Sequence, residues 1–343
     1  MKNHKQNPHF VHIGNQILKW YAQNARELPF RQTKDPYHIW ICEIIFQQTR
    51  IAQGMQHYEN FVKRFPDVQT LAKADTEEVL LYWKGLGYYS RALNIQKAAQ
   101  QITTDFNGKF PEKYEDILSL KGIGKYTAAA ISSICFNMHI PAVDGNYYRV
   151  LSRLFADDFD ISGSQAYKYF EELALNLIPD NSAGDFNQAI MDLGSEVCKP
   201  RNPLCSECPV NESCIAFQTG KINEFPVKTK KVKVEDLELH YYFVNFEDQY
   251  LIKQRGDDHI WKKLFEFPIE VPSNFNEFIV DERIIKHKLT HKNLLIKINK
   301  VELNSKILFE KFAIEKGFSI ITKEFAAQRS FPKPLENYLE NFE

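Results

Sequence analysis

The sequence carries almost no net charge, has few cysteines and contains no long apolar run, and each shortage removes a class of protein. With 43 basic and 44 acidic residues the formal charge is −1, so the total does not mark a polyanion-binding protein. Phosphate binding depends instead on local patches. The longest uncharged stretch, YTAAAISSICFNMHIPAV, is too polar and too broken by Pro141 to span a bilayer. The N-terminal MKNHKQNPHF lacks the apolar core of a signal peptide, and a reducing, cytoplasmic setting without membrane attachment is expected. No internal repeat or low-complexity tract is present. Apolar residues make up 44% and aromatics 13%, which suits folded domains rather than disorder. At 343 residues, two domains are expected from a prior of ~150 residues each.

The few cysteines are not scattered. Cys198, Cys205, Cys208 and Cys214 follow the spacing C-x6-C-x2-C-x5-C, while Cys42 and Cys135 stand alone in helical patterns and read as small buried hydrophobes. So dense a cluster without secretory features points to metal ligation rather than disulfides. Zinc sites usually pair their ligands as two short knuckles, and only one short pair exists here. Four thiolates in one compact loop can hold a [4Fe–4S] cube, with a structural zinc as the alternative. Three prolines stiffen the loop, and Lys199 and Arg201 give it a basic rim.

Residues 10–217 read as helix after helix, with apolar residues at i, i+3 and i+4 in WICEIIFQQTRI, EEVLLYWKGLGYYSRALNIQKAAQQI and YEDILSLKGIGKYTAAAISSI. FPD, NGKFPE, KGIGK and HIPAVDGN mark the breaks. After Cys214 the character changes. A linker with Lys228, Lys230, Lys231 and Lys233 leads into alternating strand-like runs, LELHYYFVNF, QYLIKQR and NLLIKINKVEL. The expected organisation is an all-helical domain over 1–220, a basic linker over 221–235 and a smaller α+β domain over 236–343.

Three segments carry chemistry. In LKGIGKYTAAAI, Gly122 and Gly124 allow a tight turn that brings N–H groups at a helix start close to a phosphate, and Lys121 and Lys125 add charge. In AVDGNYYRVL, Asp144 sits just before a helix. It reads as an N-cap or as a carboxylate facing a cleft, and capping is expected to keep its pKa low. Glu43 is isolated in an apolar helical run between Trp40 and Phe46. Burial would raise its pKa and leave it able to donate a proton. A neutral acid beside an ionised aspartate suits the breaking of a glycosidic bond.

The cysteine spacing is similar to the iron–sulfur loop of the endonuclease III superfamily of DNA glycosylases, and the glycine turn to their helix-hairpin-helix motif. LPFRQTKDPYHIWICEIIFQQTR, GLGYYSRA, LKGIGKYTAAA, AVDGNYYRVLSRLF, FNQAIMDLG and the cysteine loop together resemble the MutY family of A/G-specific adenine glycosylases over nearly all of residues 26–214. That resemblance implies removal of adenine mispaired with 8-oxoguanine or guanine in double-stranded DNA. It implies that Glu43 protonates the adenine, that Asp144 is the stabilising or nucleophilic aspartate and that Asn146 orients it. In FQQT it makes Gln48 a wedge into the base stack, with Thr49 beside it, and it places Tyr88 next to the 8-oxoguanine. Arg26, Arg31 and Gln188 match residues lining the adenine pocket, as does Phe30, where the family usually has Trp. A base inside a duplex must be flipped out before such chemistry. Tyr126 occupies the hairpin position at which bifunctional relatives carry a nucleophilic lysine, so hydrolysis without strand cleavage is implied. Lys125 is turned away by ~100°.

The C-terminal part resembles the NUDIX-like module with which that family recognises 8-oxoguanine. Leu289, Thr290 and His291 stand where Phe-Ser-His is usual, and LFEFP replaces LWEFP. The glutamate-rich box of catalytic NUDIX hydrolases is absent, and no pyrophosphatase activity is expected. A monomer is expected. The rival readings are a bifunctional glycosylase/lyase for oxidised pyrimidines, which Tyr126 disfavours, and a DNA-binding iron–sulfur protein without catalysis, which the pair Glu43 and Asp144 disfavours.

Overall fold

In this computed structural model, residues 7–47, 49–230, 233–257 and 260–341 are described. Helix Pro36–Ile45 starts where Asp35 accepts the Tyr37 N–H at 2.8 Å, with Pro36 in the first turn where no donor is needed. Seven of its ten residues are buried, so it runs through the core rather than along a surface. Helix Lys125–Phe136 buries Thr127 through Ser133 and packs against it, and helix Ala183–Asp192 packs on Lys125–Phe136 in turn. Ile17, Tyr147, Leu151, Phe170, Phe186 and Ile190 fill the adjoining core. Among the described residues no strand precedes Glu235.

The chain divides into two units by packing, 1–72 with 97–231 and 73–96 with 232–343. Residues 73–96, read from the sequence as part of the helical domain, thus group with the strand-rich half. The long run 77–102 is also not one helix. It breaks between Thr76–Tyr82 and Ser90–Asp105, where Gly85 and Gly87 take φ of +93° and +68°. Part of the expected linker is fastened to the helical unit. Ile161 N–H donates to Val227 O at 3.0 Å, and Thr229 N–H to the Asp160 carboxylate at 3.2 Å.

The second unit is built on a mixed sheet of β1 (Glu235–Phe246), β2 (Gln249–Gln254), β3 (Phe265–Glu266), β4 (Ile279–Lys288), β5 (Lys292–Glu302) and β6 (Ser319–Thr322), in the order β3-β2-β1-β5-β4 with β6 also on β2. β1 and β5 run parallel and the other pairs antiparallel. Alternate residues of β1 go to opposite faces. Tyr241 and Phe243 pack with Leu335 and Tyr338 of helix Lys333–Glu340, while Val244 packs with Phe309 and Phe312 of helix Lys306–Lys316. Segment 73–96 joins this unit through polar contacts. Lys84 Nζ lies 2.8 Å from Glu336 and Arg329 lies 2.9 Å from Glu77.

Candidate active site

A cavity of about 700 Å³ in the helical unit is lined by Glu43, Tyr126, Asp144 and Asn146 together with Arg26, Phe30, Arg31, Thr49 and Gln188. Glu43 comes from the buried helix Pro36–Ile45, so its carboxyl meets apolar surroundings. Burial pushes its pKa up to about 7, and Asp144 adds to this. The Tyr126 hydroxyl, which donates to Glu43 Oε2 at 2.7 Å, and Arg31 oppose it. Asp144 caps helix Gly145–Phe155. Its Oδ1 accepts the N–H groups of Asn146 at 2.9 Å and Tyr147 at 3.0 Å, and its Oδ2 accepts Asn146 Nδ2 at 2.8 Å. Those bonds favour the carboxylate, but burial outweighs them and its pKa is raised. The expectation of a low value is corrected on that ground. The site therefore holds one carboxyl that titrates near neutrality and one that is fixed by three donors.

Several residues that organise the cavity escaped sequence reasoning. Asp192 is fully buried and serves both pocket arginines. Arg31 donates to it at 2.6 and 2.8 Å, and Arg26 Nε donates at 2.7 Å. Asn187 pins the loop leading to Asp144, accepting Ala142 N–H at 2.9 Å and the Tyr147 hydroxyl while donating to Ser133 Oγ at 2.8 Å. Arg149 donates to Asn146 Oδ1 at 2.7 Å, Gly194 O at 2.8 Å and Cys198 O at 2.7 Å, which ties the Asp144 turn to the cysteine loop. Gly194 is required by closeness, because a Cβ there would stand 2.6 Å from Asn146 Oδ1. The sequence signal for these residues was weak, because each bonds to partners far away in the chain.

Gly122 takes φ +79°, whereas Gly124 has ordinary extended geometry with open space beside it. Only the first glycine is demanded by the turn. The Lys125 ammonium sits 4.9 Å from the centre of the Tyr167 ring and is not among the residues lining the cavity, so Tyr126 alone of that pair faces the two carboxyls. Tyr88, Leu289, Thr290 and His291 line a separate cavity of about 580 Å³ within the second unit. Gln48 lies outside the described residues.

Cys198, Cys205, Cys208 and Cys214 line a small common cavity walled by Val197, Phe217 and Ile222. Among the described residues no group of three or more His, Cys, Asp or Glu is arranged to hold a single metal ion. Four cysteines lining one small shared cavity can together hold an iron–sulfur cluster. Burial pushes the Cys208 thiol up to about 12, so positive charge must stabilise the thiolate ligands. Irons supply it when bound, and Arg153 contributes. Arg153 is buried, lies 3.5 Å from Cys198 Sγ, and donates to Lys199 O at 2.8 Å and Phe225 O at 3.2 Å.

Comparison with known proteins bears on this arrangement directly. A profile described as the HhH-GPD superfamily base excision DNA repair protein matches residues 41–176, and one for the iron–sulfur binding domain of endonuclease III matches residues 198–214. The adenine DNA glycosylase of Buchnera aphidicola subsp. Schizaphis graminum (strain Sg) is 34% identical across 95% of this chain and 97% of its own length. The chain belongs to the adenine DNA glycosylase family. The Homo sapiens adenine DNA glycosylase is 40% identical over 59% of this chain and 39% of its own. A thermostable thymine-DNA glycosylase superposes with a TM-score of 0.55 at 29% identity, covering 61% of this chain and 97% of its own. An endonuclease III–DNA complex, with a TM-score of 0.53 at 21% identity over 61% of this chain and 95% of its own, shares the fold. Adenine DNA glycosylases are base excision repair enzymes that hydrolyse N-glycosyl bonds, and the cofactor of this one is an iron–sulfur cluster bound in the 198–214 segment. Among the described residues no helix is long and apolar enough to cross a membrane.

Proposed function

We propose that this adenine DNA glycosylase acts on double-stranded DNA and removes adenine mispaired with 8-oxoguanine or guanine, hydrolysing the bond without cutting the strand. The observation that carries this reading is the pairing of Glu43 and Asp144 in one cavity. Glu43, with a pKa of about 7, keeps a large protonated fraction at neutral pH and gives its proton to the extruded adenine, which leaves as a neutral base. Asp144, held by three donors, stabilises the positive charge that develops on the sugar. Phe30 and Gln188 form the wall against which the base rests, and Arg26 and Arg31 supply a basic edge. Tyr126 offers no amine for a Schiff base, which supports hydrolysis over strand cleavage. The hairpin at Gly122, Gly124 and Lys125 meets a phosphate, and Gln48 and Thr49 fill the gap left by the flipped base.

The four cysteines hold a [4Fe–4S] cluster, which knits the loop rather than entering the reaction. The second unit acts as the NUDIX-like reader of the opposite strand. Tyr88 enters beside the 8-oxoguanine, and Thr290 and His291 supply polar groups for its altered edge. The enzyme works as a monomer in the cytoplasm. Incubation with a duplex carrying A opposite 8-oxoguanine, followed by alkali, tests the whole reading. Excision leaves abasic sites in an uncut strand, so strand breaks at the adenine position should appear only after alkali; breaks before alkali, or an intact strand after it, would refute the reading.

A further inference from the structure

The turn that carries Tyr88 holds an aromatic ring in a conformation such residues seldom adopt. Gly85 and Gly87 occupy the left-handed region without strain, but Tyr88 itself has φ +47°, which is uncommon for a bulky side chain and persists only where surroundings enforce it. The ring is 51% exposed, yet its hydroxyl lies 2.5 Å from Thr290 Oγ1. Something must hold the ring out in that posture.

Arg91, in the first turn of the helix that follows, makes the enforcing contacts. Its guanidinium carbon is 5.6 Å from the Tyr88 ring centre and 5.2 Å from that of Trp83. Its Nη2 donates to Leu86 O at 3.2 Å and Gly87 O at 3.3 Å. Its backbone N–H closes the turn on Tyr88 O at 2.8 Å, and Trp83 Nε1 donates to Gly87 O at 3.0 Å. One planar cation therefore packs against the Tyr88 ring, packs against Trp83 and ties two carbonyls of the turn. A lysine could supply the charge but neither the flat stacking face nor the fork of donors. Burial holds the Arg91 guanidinium below its usual range, at about 10, which leaves it charged at neutral pH.

We infer that Arg91 is the positioning residue for Tyr88, and that through this ring it sets the preference for the base opposite the excised adenine. The inference rests on the role given to Tyr88 under the proposed function. Without Arg91 the turn relaxes toward extended backbone, the ring leaves its post beside Thr290, and discrimination falls while the Glu43–Asp144 chemistry is untouched.

The test is single-turnover excision from A:8-oxoguanine and A:G duplexes by the wild type, Arg91→Lys, Arg91→Met, Tyr88→Ala and the Arg91→Met/Tyr88→Ala pair. Both Arg91 variants should lower the rate ratio between the two duplexes by about tenfold, a change of the order of one lost base contact. The pH profile should be unchanged, and the double variant should be no worse than Tyr88→Ala alone, as coupled residues require. Equal slowing on both duplexes would reduce Arg91 to a structural residue, and full additivity with Tyr88 would separate the two; either result overturns the assignment. Should Arg91→Met fail to fold, Arg91→Lys keeps the stem and charge and carries the same comparison. A wild-type enzyme without preference for 8-oxoguanine sinks the underlying reading, whereas Arg91→Lys with wild-type preference sinks the Arg91 assignment alone.

Discussion

Glu43 is useful because its proton is held loosely at the pH where the enzyme works. Its pKa lies at about 7, so the acid form is lost as pH rises through that value and excision should fall about tenfold per pH unit beyond it. Asp144 must be ionised, and its pKa is raised too, which places the acidic limb above the ordinary aspartate range and gives a bell. Replacing Glu43 by Gln should slow single-turnover excision by about 10²–10⁴-fold while DNA binding, read by gel shift, is retained. Tyr126→Phe removes a bond that favours the carboxylate, so the alkaline limb should move to higher pH; an unmoved limb would take Tyr126 out of the proton balance. Asp192→Asn should act in the opposite sense. It frees Arg31 from its counter-charge, strengthens the pull on Glu43 and shifts the alkaline limb down. Melting should also show a loss of roughly 3–5 kcal/mol, the usual cost of breaking a buried ion pair from one side. Glu43 could be found in the sequence because a single carboxylate in an apolar helix is conspicuous. Asp192 could not, since its partners Arg26 and Arg31 lie more than 160 residues away and a helix-terminal aspartate otherwise looks like a solvated one.

Among the elements, the cysteine loop and the hairpin were legible because fixed spacings and glycines impose them locally. The strand β4 was not. Nearly all of its residues are exposed, so IVDERIIKHK carries no alternating apolar face to betray it, and it forms only because β5 offers a pairing edge. The break at Trp83–Tyr89 was hidden for a related reason, as apolar residues continue at helical spacing straight through Gly85 and Gly87. The cluster loop depends on Arg153 as well as on its thiols. Purified protein should be brown with about four irons per chain. Arg153→Leu, which strips donors from the carbonyls of Lys199 and Phe225, should lower that content to less than about half; full iron loading in that variant would show that the cysteines alone shape the loop.

Across the whole molecule, composition announced two domains, but packing redistributed them. A cut at residue 236 would strip segment 73–96 of Glu336 and Arg329, its ionic partners, so point changes isolate the role of the second unit better than truncation does. Thr290→Ala with His291→Ala should reduce the preference for A:8-oxoguanine over A:G by roughly 1–3 kcal/mol, measured as the ratio of single-turnover rates, with the A:G rate unchanged. The discontinuous second unit also bears on the order of events at the ribosome. Residues 73–96 emerge early, yet the rest of the unit they group with is encoded after residue 231. At roughly 5–20 residues per second, the interval is on the order of ten seconds. Throughout it the helical unit can form around this excursion, since lengthening a loop costs little entropy, while the Tyr88 hydroxyl waits for Thr290, its partner in the second unit. The nascent enzyme would thus acquire its chemistry first and its discrimination last.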